Sequence, residues 1–390
     1  MTDCDVIVVG AGPGGSLAAK TAAEKGLDVL LIEKRQEIGV PVRCAEGVGR
    51  EEFEEFVMPV EKWIASEIES AELYSPSGYR VKLSADQAGN EVGYVLERKI
   101  FDRYLAMLAG KAGAEVLTKT SAVWMKRENG NVKLGIRCMG EFQEITAKIV
   151  IGADGVESRV AKWAGIDSTL KLNEIESCVQ YLMTDIDFNP TTTYFWVGRK
   201  YAPGGYIWLF PKGKDSANVG IGVMPSMAER PAKYYLDRFV REKFPEGEIV
   251  EVVVGGVPVK GAIDTAVSDN VMLVGDAARH TDPITGGGII NAMKAGYHAG
   301  ITASEAIEKG DYSESFLKRY DTRWMNDFGQ TLVRNRKLQE KMLKLNDSAF
   351  DRLFKGIGEM PIGEMNVRRL ALELFKKEPK LLWDLREFLV

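Results

Sequence analysis

The chain has 390 residues and a formal charge of −5, from 51 lysines and arginines against 56 aspartates and glutamates. Hydrophobic residues make up 45% and charged residues 27% of it, which is typical of a globular protein of about two or three domains and excludes a disordered one. The mild acidity argues against nucleic acid as the main partner. Four widely spaced cysteines and two histidines predict neither a disulfide framework nor a metal centre.

The start of the chain has neither the basic region nor the cleavage site of a targeting peptide. No stretch reaches the roughly 18 apolar residues that a membrane span requires. The sequence therefore predicts a cytoplasmic protein, with peripheral contact to the inner face of the cell membrane left open.

Two residue patterns alternate along the chain. Buried β-branched strands next to helices of small residues are typical of a parallel α/β sheet, whereas spaced aromatic and β-branched residues broken by turn signals are typical of an antiparallel sheet. The first pattern predicts strands at 5–9, 28–33 and 271–274, helices at 16–25 and 97–109, and a meander of strands over 114–150. The second pattern covers 60–90 and 173–257, and the sequence has helical periodicity after about residue 310.

The turn between the first strand and the first helix is rich in glycine. It contains Gly10-x-Gly12-x-x-Gly15, with a further glycine at Gly14, and Glu33 ends the next strand. Glycines here allow a tight turn and close approach of the backbone to a pyrophosphate, which the helix N-terminus attracts. This βαβ context predicts a dinucleotide site in which Glu33 accepts hydrogen bonds from the adenosine ribose.

A second glycine cluster follows the strand at 271–274. It resembles the Gly-Asp motif of glutathione-reductase-type FAD enzymes, in the branch typified by p-hydroxybenzoate hydroxylase. The resemblance implies that Asp276 binds the ribityl chain and that the next helix points its N-terminus at the flavin, where its dipole stabilises the negative charge of the reduced ring. The residues that carry this motif are Gly275, Asp276, Pro283, Gly287, Gly288 and Ile289.

Two shorter elements match the same branch. Asp154-Gly155 resembles its middle Asp-Gly element, and Arg98, at the start of a predicted helix, resembles its FAD-contacting arginine. Four elements in the expected order imply that the cofactor is FAD.

Two further stretches narrow the resemblance. They are Pro41-Val-Arg43-Cys44-Ala45-Glu46-Gly47 and Pro203-Gly-Gly205-Tyr206-Ile-Trp208-Leu-Phe210-Pro211. Together they resemble the archaeal geranylgeranyl reductase family, whose members reduce isoprenoid double bonds of membrane-lipid precursors. The resemblance extends over about residues 3–310.

The family resemblance implies an FAD-dependent oxidoreductase that reduces carbon–carbon double bonds of geranylgeranyl chains on an isoprenoid phospholipid, with hydride from the reduced flavin N5. It implies substrate contacts from Pro203, Gly205, Tyr206, Trp208 and Phe210. It leaves the catalytic residues unassigned, with Cys44 and Tyr206 as candidates. The cofactor-binding residues that it implies are Gly10, Gly12, Gly14, Gly15, Glu33, Lys34, Arg43, Cys44, Ala45, Gly47, Arg98, Ala122, Asp154, Gly155, Gly275, Asp276, Pro283, Gly287, Gly288 and Ile289.

The residue patterns and the family resemblance together predict an α/β fold that is α+β when the whole chain is considered. It combines a Rossmann-type, glutathione-reductase-like FAD domain, an interleaved and mainly antiparallel substrate sheet domain, and a helical C-terminal segment. The predicted bounds are 1–59, 92–172 and 258–310 for the FAD domain, 60–91 and 173–257 for the sheet domain, and 311–390 for the helical segment.

The residues alone support the substrate assignment only in part. Tyr206, Trp208 and Phe210 alternate, so on a strand they share one face and present a wall for a flat apolar chain. Aromatic residues also favour strands in general, so ordinary sheet packing stays open as an interpretation.

Two other functions fit the same fold. An aromatic hydroxylase or halogenase would consume oxygen, but halogenases carry a Trp-x-Trp-x-Ile-Pro signature that Tyr206-x-Trp208-x-Phe210-Pro211 only half matches. A non-catalytic prenyl-lipid escort has no need of the complete FAD motifs seen here. The electron donor is undetermined between ferredoxin and a reduced nicotinamide, because FAD uses the single dinucleotide motif.

The segment after residue 330 mixes basic and apolar residues at helical spacing. It carries Arg334, Arg336, Lys337, Lys341 and Lys344. Such a helix fits an anionic bilayer or a phospholipid head group, although a solvated helix face has the same pattern.

Overall fold

The computed structural model describes residues 3–84 and 93–358. Its strands in chain order are β1 Cys4–Val9, β2 Val29–Ile32, β3 Gly47–Gly49, β4 Ile64–Glu67, β5 Ser70–Tyr74, β6 Arg80–Ser84, β7 Gly93–Leu96, β8 Glu115–Leu117, β9 Thr120–Glu128, β10 Asn131–Cys138, β11 Glu141–Gly152, β12 Ile175–Thr184, β13 Thr192–Val197, β14 Tyr206–Pro211, β15 Ser216–Val223, β16 Glu248–Pro258, β17 Val267–Ser268 and β18 Val271–Leu273. Its α-helices are α1 Pro13–Glu24, α2 Arg50–Glu54, α3 Arg98–Lys111, α4 Arg159–Ala164, α5 Ala232–Lys243, α6 Ile289–Lys309, α7 Glu314–Trp324, α8 Gln330–Met342 and α9 Asp347–Gly358.

The chain forms two compact units. The first contains 3–42, 98–170 and 258–333, and the second contains 43–84, 93–97, 171–257 and 334–358. The second unit therefore contains residues 43–59, which the sequence analysis assigns to the FAD domain. The first unit contains residues 311–333, which the sequence analysis assigns to the C-terminal helical segment. The functional division into FAD and substrate domains stays a prediction.

A mainly parallel sheet forms the centre of the first unit. Its order is β17-β18-β11-β1-β2-β8, and β1 pairs in parallel with both β11 and β2. The residues of β1 between Val6 and Val9 are buried, as the β-branched run predicts. The meander predicted over 114–150 is present as β8 to β11.

Helix α1 begins at Pro13, three residues before the predicted start. Proline is favourable in the first turn because that turn needs no amide donor, and Gly12 is the N-cap. Small residues let α1 lie close to α6, where a side-chain carbon at Gly296 would overlap the carbonyl oxygen of Gly14. This close packing anchors the helix that follows the glycine turn.

A mainly antiparallel sheet forms the second unit, as predicted. Its order is β16-β12-β15-β14-β13-β5-β6, in which β13 and β5 pair in parallel. Helix α5 covers one face, which we call the helix face, and packs Leu236 and Phe239 against alternate residues of the strands. The other face, which we call the strip face, carries Tyr206, Trp208 and Phe210.

The predicted C-terminal helical segment is present as α7, a π-helical turn at Met325–Gly329, α8 and α9. Residues 85–91 of the predicted sheet domain, residue 92 of the predicted FAD domain and 359–390 of this segment lie outside the described residues. Within the described ranges, no helix is both long and apolar enough to cross a membrane.

Candidate functional site

The glycine turn of the first unit needs its glycines. Gly10 has a φ of +107°, which favours glycine, and a side-chain carbon at Gly15 would overlap the carbonyl oxygen of Gly10 and lie 2.9 Å from the Cβ of Ala153. In contrast, a side-chain carbon at Gly12 would meet nothing within 4 Å. The turn is therefore tightly packed on its inner side and leaves space on the side of the first helical amides.

Glu33 lies beside this turn. One of its carboxylate oxygens accepts a hydrogen bond from the amide of Ala11 at 3.1 Å, and the other accepts from the amide of Arg35 at 2.8 Å. Two backbone donors thus fix the acid that ends β2 next to the glycine turn. Lys34, also predicted to contact the cofactor, is exposed at the same strand end.

Arg98 interacts electrostatically with two acids of the first unit, the buried Asp102 and the partly buried Asp276. Its guanidinium donates to both carboxylate oxygens of Asp102, at 3.1 and 2.6 Å. Burial raises the pKa of Asp276, against the opposing effects of a 2.9 Å hydrogen bond from Thr281 and of the charge on Arg98. Burial also raises the pKa of Asp102, which Arg98 again opposes. The predicted residues Arg98 and Asp276 are therefore within electrostatic reach of each other.

Asp154 stabilises the N-terminus of the helix that follows it. Its carboxylate accepts from the hydroxyl of Ser158 at 2.6 Å and from the amides of Arg159 and Val160 at 2.7 and 3.1 Å, so it caps α4. Gly155 has a φ of +84°, a conformation that glycine favours. The resemblance assigns both residues to the cofactor, and that assignment stays a prediction, as it does for Ala122 on β9.

His280 lies inside the second glycine cluster. It is buried, its ring packs against Trp324 and Phe328, and neither ring nitrogen has a hydrogen-bond partner among the described residues. Burial lowers its pKa to about 3, so the ring is neutral at ordinary pH.

The strip face of the second unit brings the predicted aromatic residues together. The ring of Phe195 on β13 makes edge-to-face contacts with the rings of Tyr206 and Phe210, at centroid distances of 5.7 and 5.5 Å. Trp208 lies over Gly220 of β15, where a side-chain carbon would overlap its ring. Tyr206 and Phe210 are half-buried and Trp208 is buried. The strip is thus a partly exposed aromatic surface.

Gln180 links this strip to the segment that contains Cys44. Its amide oxygen accepts from the indole nitrogen of Trp208 at 3.0 Å, and its amide nitrogen donates to the carbonyl oxygen of Cys44 at 3.0 Å. The predicted residue Gly47 lies against Phe210, since a side-chain carbon there would be 2.6 Å from the phenyl ring. The structure therefore places Cys44 and Gly47 in the second unit beside the strip.

A buried ion pair holds the same segment. Lys212 forms ion pairs with Glu46 at 2.8 Å and Glu97 at 3.1 Å, and the side chains of Lys212 and Glu46 are 7% and 4% exposed. Asn218 donates to Glu46 at 2.7 Å and to the carbonyl oxygen of Ala45 at 3.3 Å. Glu46 has a φ of 77°, unusual for a side-chain-bearing residue, and its amide donates to the sulfur of Cys44 at 3.2 Å. These contacts fix the turn on which Cys44 lies.

The remaining predicted residues have defined places. Pro203 accepts a hydrogen bond from the amide of Met224 at 2.9 Å, and Gly205 packs against Gly222, where a side-chain carbon would overlap the Gly222 carbonyl oxygen. The side chain of Arg43 packs beside Gly255 of β16. Sequence reasoning missed five polar residues of the strip face and its turn, and the alternation Glu176-x-Cys178-x-Gln180 was the available signal for two of them. The five are Glu46, Glu176, Gln180, Lys212 and Asn218.

Family models match most of the chain. Residues 174–257 match the geranylgeranyl reductase catalytic domain, and residues 4–187 match pyridine nucleotide-disulphide oxidoreductase. A digeranylgeranylglycerophospholipid reductase of Methanothrix thermoacetophila is 52% identical over 391 residues, which cover 99% of this chain and 100% of the relative. The chain belongs to the digeranylgeranylglycerophospholipid reductase family. A second member, from Methanocella arvoryzae, is 52% identical over 98% of each chain. The family predicted from the sequence is confirmed.

Solved structures agree with this membership. A geranylgeranyl bacteriochlorophyll reductase-like protein of Thermoplasma acidophilum matches with a TM-score of 0.92 and 42% identity over 99% of each chain. The flavin-dependent halogenase CmlS matches with a TM-score of 0.67 and 18% identity over 99% of this chain and 78% of its own. At that identity the second likeness shows the fold alone, so the hydroxylase and halogenase alternatives have less support. The predicted fold class is confirmed.

The chain is a flavin-dependent reductase of this family, and its cofactor is FAD. The residues of the first unit fit this cofactor. The glycine turn leaves the space beside Gly12 empty of side chains, and Glu33 is fixed next to it. Both helices that would face the cofactor start at glycines, Gly12 and Gly288, and within the described chain no side chain caps either N-terminus. Their amides are therefore available for a phosphate and for the flavin ring.

Proposed function

We propose that this protein saturates the geranylgeranyl chains of digeranylgeranylglycerophospholipids, and that the chains bind on the strip face. The observation that carries the proposal is the partly exposed aromatic strip of Tyr206, Trp208 and Phe210, which lies over glycines of β15. A flat polyene needs an apolar wall without protruding side chains, which aromatic rings over glycine provide. The names of the relatives at 52% identity support the same substrate class.

Different groups of the described residues would bind the cofactor and align the substrate in such a reaction. Bound FAD, once reduced, supplies hydride to one alkene carbon. Glu33, Asp276 and the uncapped amides of α1 and α6 would hold the cofactor, since they are the acceptors and donors that a ribose, a ribityl chain and a pyrophosphate require. The aromatic strip would align the isoprenoid chain, because an unactivated alkene reacts only when held in register. The polar residues beneath the strip fix its rings and the Cys44 turn.

The electron donor and the place of action extend this proposal. We infer that an external donor, either ferredoxin or a reduced nicotinamide, supplies the electrons, and that the protein meets its lipid at a membrane surface. Two basic side chains of α8, Arg334 and Lys337, are exposed and suit an anionic surface. Sedimentation with anionic and neutral vesicles tests the second point, and binding that is equal for both would contradict it.

The test of the main proposal is anaerobic turnover. Dithionite-reduced protein should convert a digeranylgeranylglycerophospholipid to products that are heavier by two hydrogens for each bond reduced, as mass spectrometry measures. A hydroxylase needs oxygen, so a product that contains added oxygen and forms only in air would overturn the proposal.

Conservative variants test the strip itself. Trp208→Phe keeps a flat apolar wall but shortens it and removes the donor to Gln180, so the pattern of partly saturated products should change while the FAD content stays the same. Tyr206→Phe removes only a hydroxyl group and tests whether Tyr206 has a chemical role. Should both variants keep the wild-type rate, product pattern and melting temperature, the strip is ordinary packing and the substrate lies elsewhere.

A further inference from the structure

Glu176 is a buried acid on the strip face. It lies on β12 and is 7% exposed, and the alternation of the strand places it on the same face as Cys178 and Gln180. Gln180 is the residue that bonds Trp208. The acid is therefore part of the surface on which the aromatic strip lies, four residues along β12 from the polar residue that bonds Trp208.

Two glycines make room for the Glu176 carboxyl group. A side-chain carbon at Gly205, next to Tyr206, would lie 3.2 Å from the carboxyl carbon of Glu176. A side-chain carbon at Gly222 would overlap a carboxyl oxygen of Glu176 and lie 3.4 Å from the sulfur of Cys178. The carboxyl group thus occupies the position that a side chain on β15 would fill, next to the first ring of the strip.

No hydrogen bond or ion pair of the Glu176 carboxyl group is found within 3–84 and 93–358. The ionisable groups on its own side of the sheet include the thiols of Cys178 and Cys44, the hydroxyl of Tyr206 and, farther along the face, the Lys212–Glu46 ion pair. Burial raises the pKa of the Cys178 thiol well above its ordinary value. On the side of β16, the side chain of Arg43 packs on Gly255. The nearest residues of β15 and of the start of β14 are glycines, Gly222 and Gly205. A carboxyl group in this setting prefers its neutral form.

We propose that Glu176 is the acid that protonates the isoprenoid double bond on the strip face. This inference rests on the proposed function. In the step, the π bond between two alkene carbons breaks, one carbon gains a C–H bond from the hydride of the reduced flavin, and the other gains a C–H bond from the Glu176 carboxyl group. The hydride carries both electrons, so the alkene is reduced and the flavin oxidised. Glu176 is left as a carboxylate, which water reprotonates.

The competing donors on this face are weaker acids. Burial raises the pKa of Glu176 to about 8, which keeps the acid protonated at neutral pH and still able to release its proton. The Cys178 thiol has a pKa well above its ordinary value, and the reference pKa of a tyrosine hydroxyl group is about 10. The efficiency of a general acid is greatest when its pKa lies near the working pH, which favours Glu176 over both.

The test compares Glu176→Gln with the matched variant Glu72→Gln. Glu72 is a glutamate of the same sheet with 8% exposure, but it lies on the helix face and bonds the hydroxyl of Tyr74 at 2.7 Å. In single turnovers of dithionite-reduced enzyme, Glu176→Gln should lose about 100-fold or more in the rate of alkene saturation, the range of a lost general acid. The wild-type rate should fall as the pH rises through about 8, and Glu72→Gln should keep both the rate and that profile.

A titration provides a readout that does not depend on turnover. In protein labelled with carbon-13 at the glutamate carboxyl groups, the resonance missing from Glu176→Gln should titrate near pH 8. Titration below pH 6, a Glu176→Gln rate within threefold of wild type, or an equal loss in Glu72→Gln would each overturn the proposal. Should Glu176→Gln not fold, Glu176→Asp serves instead and should keep the alkaline limb at a lower rate. A wild-type protein that binds FAD but saturates no lipid would contradict the proposed function, while the titration would still decide whether Glu176 is a neutral acid.

Discussion

The candidate sites of the two units differ in the groups that line them. In the first unit, backbone groups line the site: the glycine turn, the uncapped amides of α1 and α6, and one acid at the end of β2. In the second unit, side chains line it, and they come from β12, β13 and β14. Backbone sites suit a group common to many enzymes, whereas side chains on a sheet face can change individually with the substrate. Substitutions in the first unit should therefore change cofactor affinity, and those in the second unit should change turnover.

The largest effect is expected from Lys212→Met in the second unit. The change leaves the buried carboxylate of Glu46 without its cation, and breaking a buried ion pair from one side typically costs about 3–5 kcal/mol of unfolding free energy. Urea denaturation measures the loss. The exposed pair of Lys233 and Asp237 is the matched control, and Lys233→Met should cost at most about 0.5 kcal/mol. Adding Glu46→Gln to Lys212→Met should restore much of the stability, and no recovery would show that the loss has another cause.

Glu33→Ala probes the acid of the first unit. It removes a charge-assisted acceptor and should weaken FAD binding by roughly 1.5–3 kcal/mol, about 10- to 150-fold in Kd. Fluorescence titration of the apoprotein with FAD measures the affinity. Glu37→Ala is the control, because Glu37 is an exposed acid of the same segment that pairs with Arg103. Equal affinities of Glu33→Ala and the wild type would remove Glu33 from the site.

Two glycines of one turn separate packing from binding. Gly15→Ala brings a methyl group against Gly10 and Ala153 and should lower the unfolding free energy of the apoprotein by about 1–3 kcal/mol. Gly12→Ala meets no atom within 4 Å, so the apoprotein should keep its stability within about 0.5 kcal/mol and lose FAD affinity. Normal FAD affinity in Gly12→Ala would contradict the assignment of the space beside Gly12 to the cofactor.

The same contrast explains what sequence reasoning recovered. The motif residues of the first unit are close in sequence, so the spacing of the glycine turn placed Glu33 beside it, while the resemblance to FAD enzymes placed Gly288 at the start of α6. The start of α1 was wrong by three residues, because proline in the first helical turn was not used as a signal. Glu176 and Lys212 were missed because their importance depends on neighbours from other strands, Gly222 and Glu46, and pairing between strands is not written in local spacing.

The smallest effects, counted per pH unit, are those of pH on stability, and they have opposite signs in the two units. His280 has a folded pKa of about 3 against 6.5 unfolded, so below pH 6.5 the unfolded chain binds more protons and stability falls as the pH drops towards 3. Glu176 has a folded pKa of about 8 against 4.5 unfolded, so between these values the folded protein binds more protons and stability falls as the pH rises. Each group contributes a slope of at most about 1.4 kcal/mol per pH unit.

The two slopes separate by mutation. Urea denaturation of the holoprotein at pH 5 to 8 should show Glu176→Gln gaining stability relative to the wild type as the pH rises, since glutamine carries no proton to lose. His280→Leu should gain relative to the wild type as the pH falls from 6.5 to 5, because its unfolded state no longer takes up that proton. Each variant thus acts on one side of the pH range, and this asymmetry distinguishes a removed titration from a general change in packing, which would shift stability equally at every pH. A pH-independent difference for Glu176→Gln would mean that Glu176 is ionised in the folded protein, and the strip face would then lack the neutral acid on which alkene protonation depends.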